Sequence, residues 1–125
     1  MDPVSAMISV VDDDESIRES LPDLLREFGY SAKSFASAAE FLVSRCADKT
    51  KCLILDIAMP GMSGPELKRE LERTGYSIPT IFITAHAAIC SRPDVRDGAV
   101  ACLVKPFSDT ALQDAVKKAL KVKME

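Results

Sequence analysis

Four apolar residues, Cys52-Leu53-Ile54-Leu55, run without alternation into a carboxylate, Asp56, and then into Ile57-Ala58-Met59-Pro60-Gly61. A strand with one wet face alternates apolar and polar side chains. An unbroken apolar run closed by Pro and Gly is instead the pattern of a strand buried on both faces, as in a parallel sheet covered by helices. Met7 to Val11, Ser31 to Phe35, Thr80 to Thr84 and Val100 to Val104 read as further strands. Between them the periodicity changes. Ile17, Leu21, Leu24, Leu25 and Phe28 fall on one helical stripe within Glu15 to Phe28, closed by Gly29.

The other helices carry their own punctuation. Ser37 with Glu40 predicts a capping box for a helix to Arg45. Pro65 sits in the first turn of Gly64 to Arg73, with Gly75 beyond its end. Ser108 precedes a last helix carrying Leu112, Ala115, Val116, Ala119 and Leu120. Strand and helix alternating over 125 residues predict one α/β domain, residues 1–125, of the flavodoxin-like kind. Neither Gly-x-Gly-x-x-Gly nor Gly-x-x-x-x-Gly-Lys follows a strand, so nucleotide binding has no motif.

In a parallel sheet every strand ends on the same edge, where open α/β folds place their chemistry. Asp12, Asp13 and Asp14 follow the first strand, Asp56 ends the third, Thr84 the fourth, and Lys105-Pro106 follows the fifth. Any one of these alone is ordinarily a turn or cap residue. Together they describe one pocket of carboxylates, a hydroxyl and an ammonium. Clustered carboxylates repel, and Lys105 offsets only part of that charge. A hard cation such as Mg²⁺ suits the remainder, and a carboxylate such as Asp56 can accept a phosphoryl group. Ala58 and Ala85 leave room beside it.

Composition narrows the field. The net charge of −3 provides no basic stripe for nucleic acid or an anionic membrane. No apolar stretch approaches the ~20 residues of a membrane span. The amino terminus lacks the basic and apolar segments of a secretory signal, so a cytoplasmic protein is expected. Cys46, Cys52, Cys90 and Cys102 form no Cys-x-x-Cys pair, and the lone His86 adds no zinc spacing. They read as small residues in a reducing compartment, with Cys52 and Cys102 inside buried strands, rather than as disulfide partners.

The motifs Val10-Val11-Asp12-Asp13-Asp14, Leu55-Asp56-Ile57-Ala58-Met59-Pro60-Gly61-Met62-Ser63-Gly64, Ile83-Thr84-Ala85 and Lys105-Pro106-Phe107 resemble those of CheY-like receiver domains of two-component response regulators. The resemblance spans Met7 to about Leu120. It implies a five-stranded parallel sheet in the order 2-1-3-4-5 with helices on both faces. It also implies Asp56 as phosphoacceptor, Thr84 and Lys105 as its hydroxyl and ammonium partners, and a cis Lys105-Pro106 bond. Asp12, Asp13, Asp56 and the Ala58 carbonyl would hold Mg²⁺. A sensor histidine kinase would be the donor, and the domain would be a signalling switch rather than a turnover enzyme. Ser-Ala-x-x-Phe-Leu at Ser37 to Leu42, with the Thr84 and Lys105 motifs, is most similar to the FixJ class. That class commonly carries a DNA-binding output domain, here outside this chain; a homodimer stays open.

Two departures stand out. The family's aromatic three residues before the lysine is here Cys102, which predicts a weakened or rerouted switch. The fourth helix should be shortened or irregular: Pro93 disfavours helix at Arg92, leaving a loop to Arg92 and at most about a turn before Gly98. Family positions that tune phosphoryl lifetime hold Ala58 and His86. Two alternatives remain. One is a pseudo-receiver that only binds partners. The other is a haloacid-dehalogenase-like phosphatase using Asp12-x-Asp14, which leaves Asp56 without a role. An EF-hand at Asp12-x-Asp14-x-Ser16 fails because Ile17 stands where the turn glycine belongs.

Overall fold

The computed structural model describes residues 6–123. Five parallel strands form one sheet in the order β2-β1-β3-β4-β5. They are β1 (Met7–Val11), β2 (Ser31–Phe35), β3 (Thr50–Asp56), β4 (Thr80–Thr84) and β5 (Ala101–Val104). The helices are α1 (Glu15–Glu27), α2 (Ala38–Ser44), α3 (Gly64–Arg73), α4 (Pro93–Arg96) and α5 (Asp109–Lys123).

The unbroken apolar run of β3 has a direct packing reason. Cys52 and Ile54 join one core with Ile8, Val10, Leu21, Leu25, Leu112 and Val116, under α1 and α5. Leu53 and Leu55 join a second core with Phe35, Phe41, Leu67, Leu71 and Phe82, under α2 and α3. Successive residues point to opposite faces, and both faces are covered. The strand also starts two residues earlier than its apolar run. Thr50 pairs with Met7, and the register shifts before Ile8 meets Cys52. The polar Ser9 fits between the layers because it is partnered: Thr50 Oγ1 donates to the Cys46 carbonyl at 2.7 Å, so the 2.7 Å contact leaves Ser9 as donor to Thr50.

Helix starts follow their caps. Asp14 accepts from Ser16 N at the start of α1. At α3 the capping box is complete, with Ser63 Oγ accepting from Glu66 N and Glu66 Oε1 accepting from Ser63 N. Ser63→Ala should therefore cost about 1 kcal/mol in urea denaturation, while Ser63→Asp should retain most of the stability. At α2 only half of the expected box forms. Ser37 Oγ accepts from Glu40 N, but Glu40 Oε1 accepts from Ala36 N instead of Ser37 N. Ser108 Oγ caps α5 through Ala111 N.

Between β4 and β5 the chain takes a 3-10 turn over Ala87–Ser91, passes through an extended Arg92 (φ −66°, ψ 136°), and makes the four-residue α4. The shortened fourth helix is as expected; the stretch before it is a 3-10 turn rather than plain loop. The cysteine expectation is overturned. Cys90 and Cys102 are joined by a disulfide with Cα atoms 5.6 Å apart, while Cys46 and Cys52 are free. The 3-10 turn folds back over β5 and brings two residues with no pairing signature into bridging range. Nor is Cys102 fully buried: β5 is an edge strand, and all its residues are only half-buried. Among the described residues no helix is long and apolar enough to cross a membrane.

Candidate functional site

The carboxyl ends of β1, β3, β4 and β5 converge. Asp12 follows β1 and is fully buried. Its backbone is held from two sides: its N–H donates to the Phe35 carbonyl at 3.0 Å, and Arg18 Nη1 donates to its carbonyl at 3.1 Å. One side-chain oxygen, Oδ1, accepts from Asp14 N at 2.9 Å. The other, Oδ2, lies 3.0 Å from Lys105 Nζ but has no aligned hydrogen-bond donor. We read this as a charge contact that leaves a buried oxygen lone pair available.

Asp56 ends β3 and is 6% exposed. Lys105 Nζ stands 3.8 Å from its Oδ1. Carboxylate oxygens of Asp12, Asp13 and Asp56 lie within 4.8 Å of one another. Burial, then the Asp12 charge, push the Asp56 carboxyl up to about 7, against the opposing pull of Lys105. Burial works against the Lys105 ammonium, yet Asp12 and Asp56 outweigh it and its pKa rises. One positive charge among three carboxylates is an uneven balance. A hard divalent cation fits the donor set, because every candidate side-chain ligand is a carboxylate oxygen and one of them is buried without a donor.

Thr84 is 2% exposed and ends β4 one residue past Ile83, the register partner of Asp56. Its Oγ1 accepts from His86 N at 3.1 Å, and its carbonyl accepts from Lys105 N at 2.7 Å. The Lys105-Pro106 peptide is cis. Ala58 and Ala85 are exposed at the rim. Asp14 stays outside the cluster: it is exposed, and the Ser16 hydroxyl and backbone hold its carboxyl below the usual range. An Asp12-x-Asp14 pair acting together is therefore not what the fold assembles.

Three contributors escaped sequence reasoning. Arg18 lies on the α1 face nearest Asp12 and shows no motif. Gly64 donates to the Ile57 carbonyl at 3.0 Å and passes close behind Asp56; a glycine directly after a helix cap was the available signal. Cys90 gave none.

Comparison with known proteins places these residues in a family. The profile described as "Response regulator receiver domain" matches residues 8–117. Nodulation protein W of Bradyrhizobium diazoefficiens is 45% identical over 115 residues, covering 91% of this chain and 51% of that protein. The crystal structure of FixJ-N superposes with a TM-score of 0.82 at 35% identity, covering 94% of each chain. The response regulator TrrA of Thermotoga maritima, solved in complex with Mg²⁺-BeF, superposes with a TM-score of 0.81 at 34% identity, covering 91% of this chain and 98% of that one. The chain spans about half the length of the curated relatives it matches, 51% and 52% for the first of them.

Proposed function

Since this chain belongs to the family of response regulator receiver domains, we propose that Asp56 is its phosphoacceptor and that residues 1–125 act as one phosphorylation-controlled switch. A phosphohistidine of a sensor kinase is the donor. An Asp56 oxygen attacks phosphorus, the phosphorus–nitrogen bond breaks, and its electron pair returns to the imidazole. Such a transfer needs mainly positioning and charge neutralisation. Asp12, Asp13, Asp56 and the Ala58 carbonyl are the residues that would hold Mg²⁺, which neutralises phosphoryl oxygens when bound. Lys105 offers a second positive charge, and Thr84 a hydroxyl on the adjoining strand.

The observation that carries this reading is the buried Asp56 carboxylate grouped with Asp12 and Asp13 around a single ammonium. The Mg²⁺-BeF complex of TrrA supports the choice of metal. A cytoplasmic setting, a DNA-binding output domain beyond this chain and homodimerisation on phosphorylation complete the proposal. A relative named as the transcriptional regulatory protein FixJ supports an output of that kind. The domain signals and does not turn over substrate as its purpose.

Incubation with acetyl phosphate and Mg²⁺, read by intact mass, tests the proposal. One phosphoryl group should be incorporated, lost on Asp56→Asn and lost when the metal is chelated. Incorporation that survives Asp56→Asn and disappears only in Asp12→Asn would overturn it in favour of phosphatase-like chemistry.

A further inference from the structure

We propose that Cys90 and Cys102 form a reversible redox site, and that their bond sets the rigidity of the segment joining Thr84 to Lys105. Nothing in the fold needs this bond as a staple. The sheet has a core on each face without it, and the chain is well above the size at which cross-links are usually required. The other two cysteines remain thiols, so this is no disulfide scaffold. Both bonded cysteines are half-buried rather than sealed in the core, and Cys90 runs directly into the exposed Ser91 and Arg92, the side from which a small thiol would approach.

The position gives the bond its consequence. Cys102 is the register partner of Phe82, two residues before Thr84 on β4, and stands three residues before Lys105. Cys90 lies six residues after Thr84, at the end of the 3-10 turn that begins beyond His86. Thr84 and Lys105 are themselves joined by the 2.7 Å backbone hydrogen bond. The disulfide therefore closes a circuit from Thr84 through the 3-10 turn to Cys90, across to Cys102, and up β5 to Lys105. A second ring, closed over a sequence separation of 12, contains α4. Apart from the disulfide, the 3-10 turn and α4 are anchored through Ile89, Val95 and Ala99, which pack on the core, while their backbone hydrogen bonds run within the segment itself.

The chemistry balances with a low-molecular-weight disulfide as oxidant. One protein thiolate attacks it and expels one thiol; the second protein thiolate attacks the mixed disulfide and expels the other. Two protein thiols and one external disulfide give the protein disulfide and two external thiols.

The test is a titration of the whole chain in buffers of reduced and oxidised glutathione, with alkylation and peptide mapping. In parallel, amide exchange is followed without any phosphodonor, so failure here is distinct from failure of the phosphoacceptor reading. The bond should map to Cys90–Cys102 and interconvert within the range of ratios used. Amides of 87–104 should exchange at least about tenfold faster when reduced, the direction expected of a lost loop constraint. Cys90→Ser, on the surface turn, should exchange like the reduced form in both buffers. A bond that persists at every ratio, thiols that never pair, pairing with Cys46, or equal exchange in both states would each overturn the proposal.

Discussion

At pH 7 in the presence of a chelator, Asp56→Asn should melt several degrees higher than the parent protein, and the difference should vanish near pH 3. The parent carries a carboxyl whose folded-state pKa is pushed up to about 7 by burial and by Asp12, against an ordinary ~3.9 when unfolded. Between those values the folded state binds more protons than the unfolded state, so stability falls as pH rises from about 4 to about 7. Below that window both states are protonated and the group contributes no penalty. Above it the penalty is complete, on the order of 4 kcal/mol. Asparagine removes the charge and with it the pH dependence. Mg²⁺ should act oppositely, stabilising the parent and leaving the variant nearly unchanged. Melting curves with and without metal at several pH values decide this; a variant that melts at or below the parent at pH 7 without metal would refute it.

Gly64→Ala should both destabilise the domain and impair phosphorylation, although Gly64 is not among the residues grouped around Lys105. A Cβ at this position would lie 2.5 Å from the Asp56 carbonyl oxygen and 3.2 Å from the Asp56 carbonyl carbon and Ile57 Cα. All three are backbone atoms, so no side chain can swing aside. The start of α3 must move, or the end of β3 must. Overpacking of this kind costs about 1–3 kcal/mol, and an attacking oxygen displaced by a fraction of an ångström loses rate steeply. We expect a drop of at least about tenfold in the rate of phosphoryl incorporation from acetyl phosphate. Urea denaturation together with that rate tests the idea; parental values for both would mean the helix start adjusts freely. Gly61→Ala makes a useful contrast, since its φ of 79° strains a side chain but nothing lies within 4 Å. It should cost stability with less effect on the chemistry.

The sheet was legible because its signals are local and repeated. Apolar runs without alternation mark strands covered on two sides, and Gly, Pro and Ser punctuate the helices between them. The site was legible because topology converts distant residues into neighbours: once the strands are parallel, Asp12, Asp56, Thr84 and Lys105 must share an edge. What stayed hidden depends on contacts that no periodicity encodes. Thr50 and Lys51 belong to β3 through pairing with β1 and not through hydrophobicity. Glu40 accepts from Ala36 N where the capping-box pattern points to Ser37 N. Cys90 and Cys102 meet only because a 3-10 turn takes the place of a longer helix. Gly64 reads as a helix start, and only three dimensions show the carbonyl pressed against it.

The edge position of β5 gives the site two mechanically unlike halves. Asp12 and Asp56 are carried by central strands, with core on both faces and, for Asp12, a backbone pinned on two sides. Lys105 follows the outermost strand, which is half-buried along its whole length, and its own side chain is 20% exposed. The acids form a stator and the lysine edge a rotor. Substitutions in the stator should register as lost folding or lost chemistry, whereas the rotor can be re-cut for new partners while the acids stay where they are. A lineage built on this frame can therefore diversify what it signals to without relearning how it is switched on.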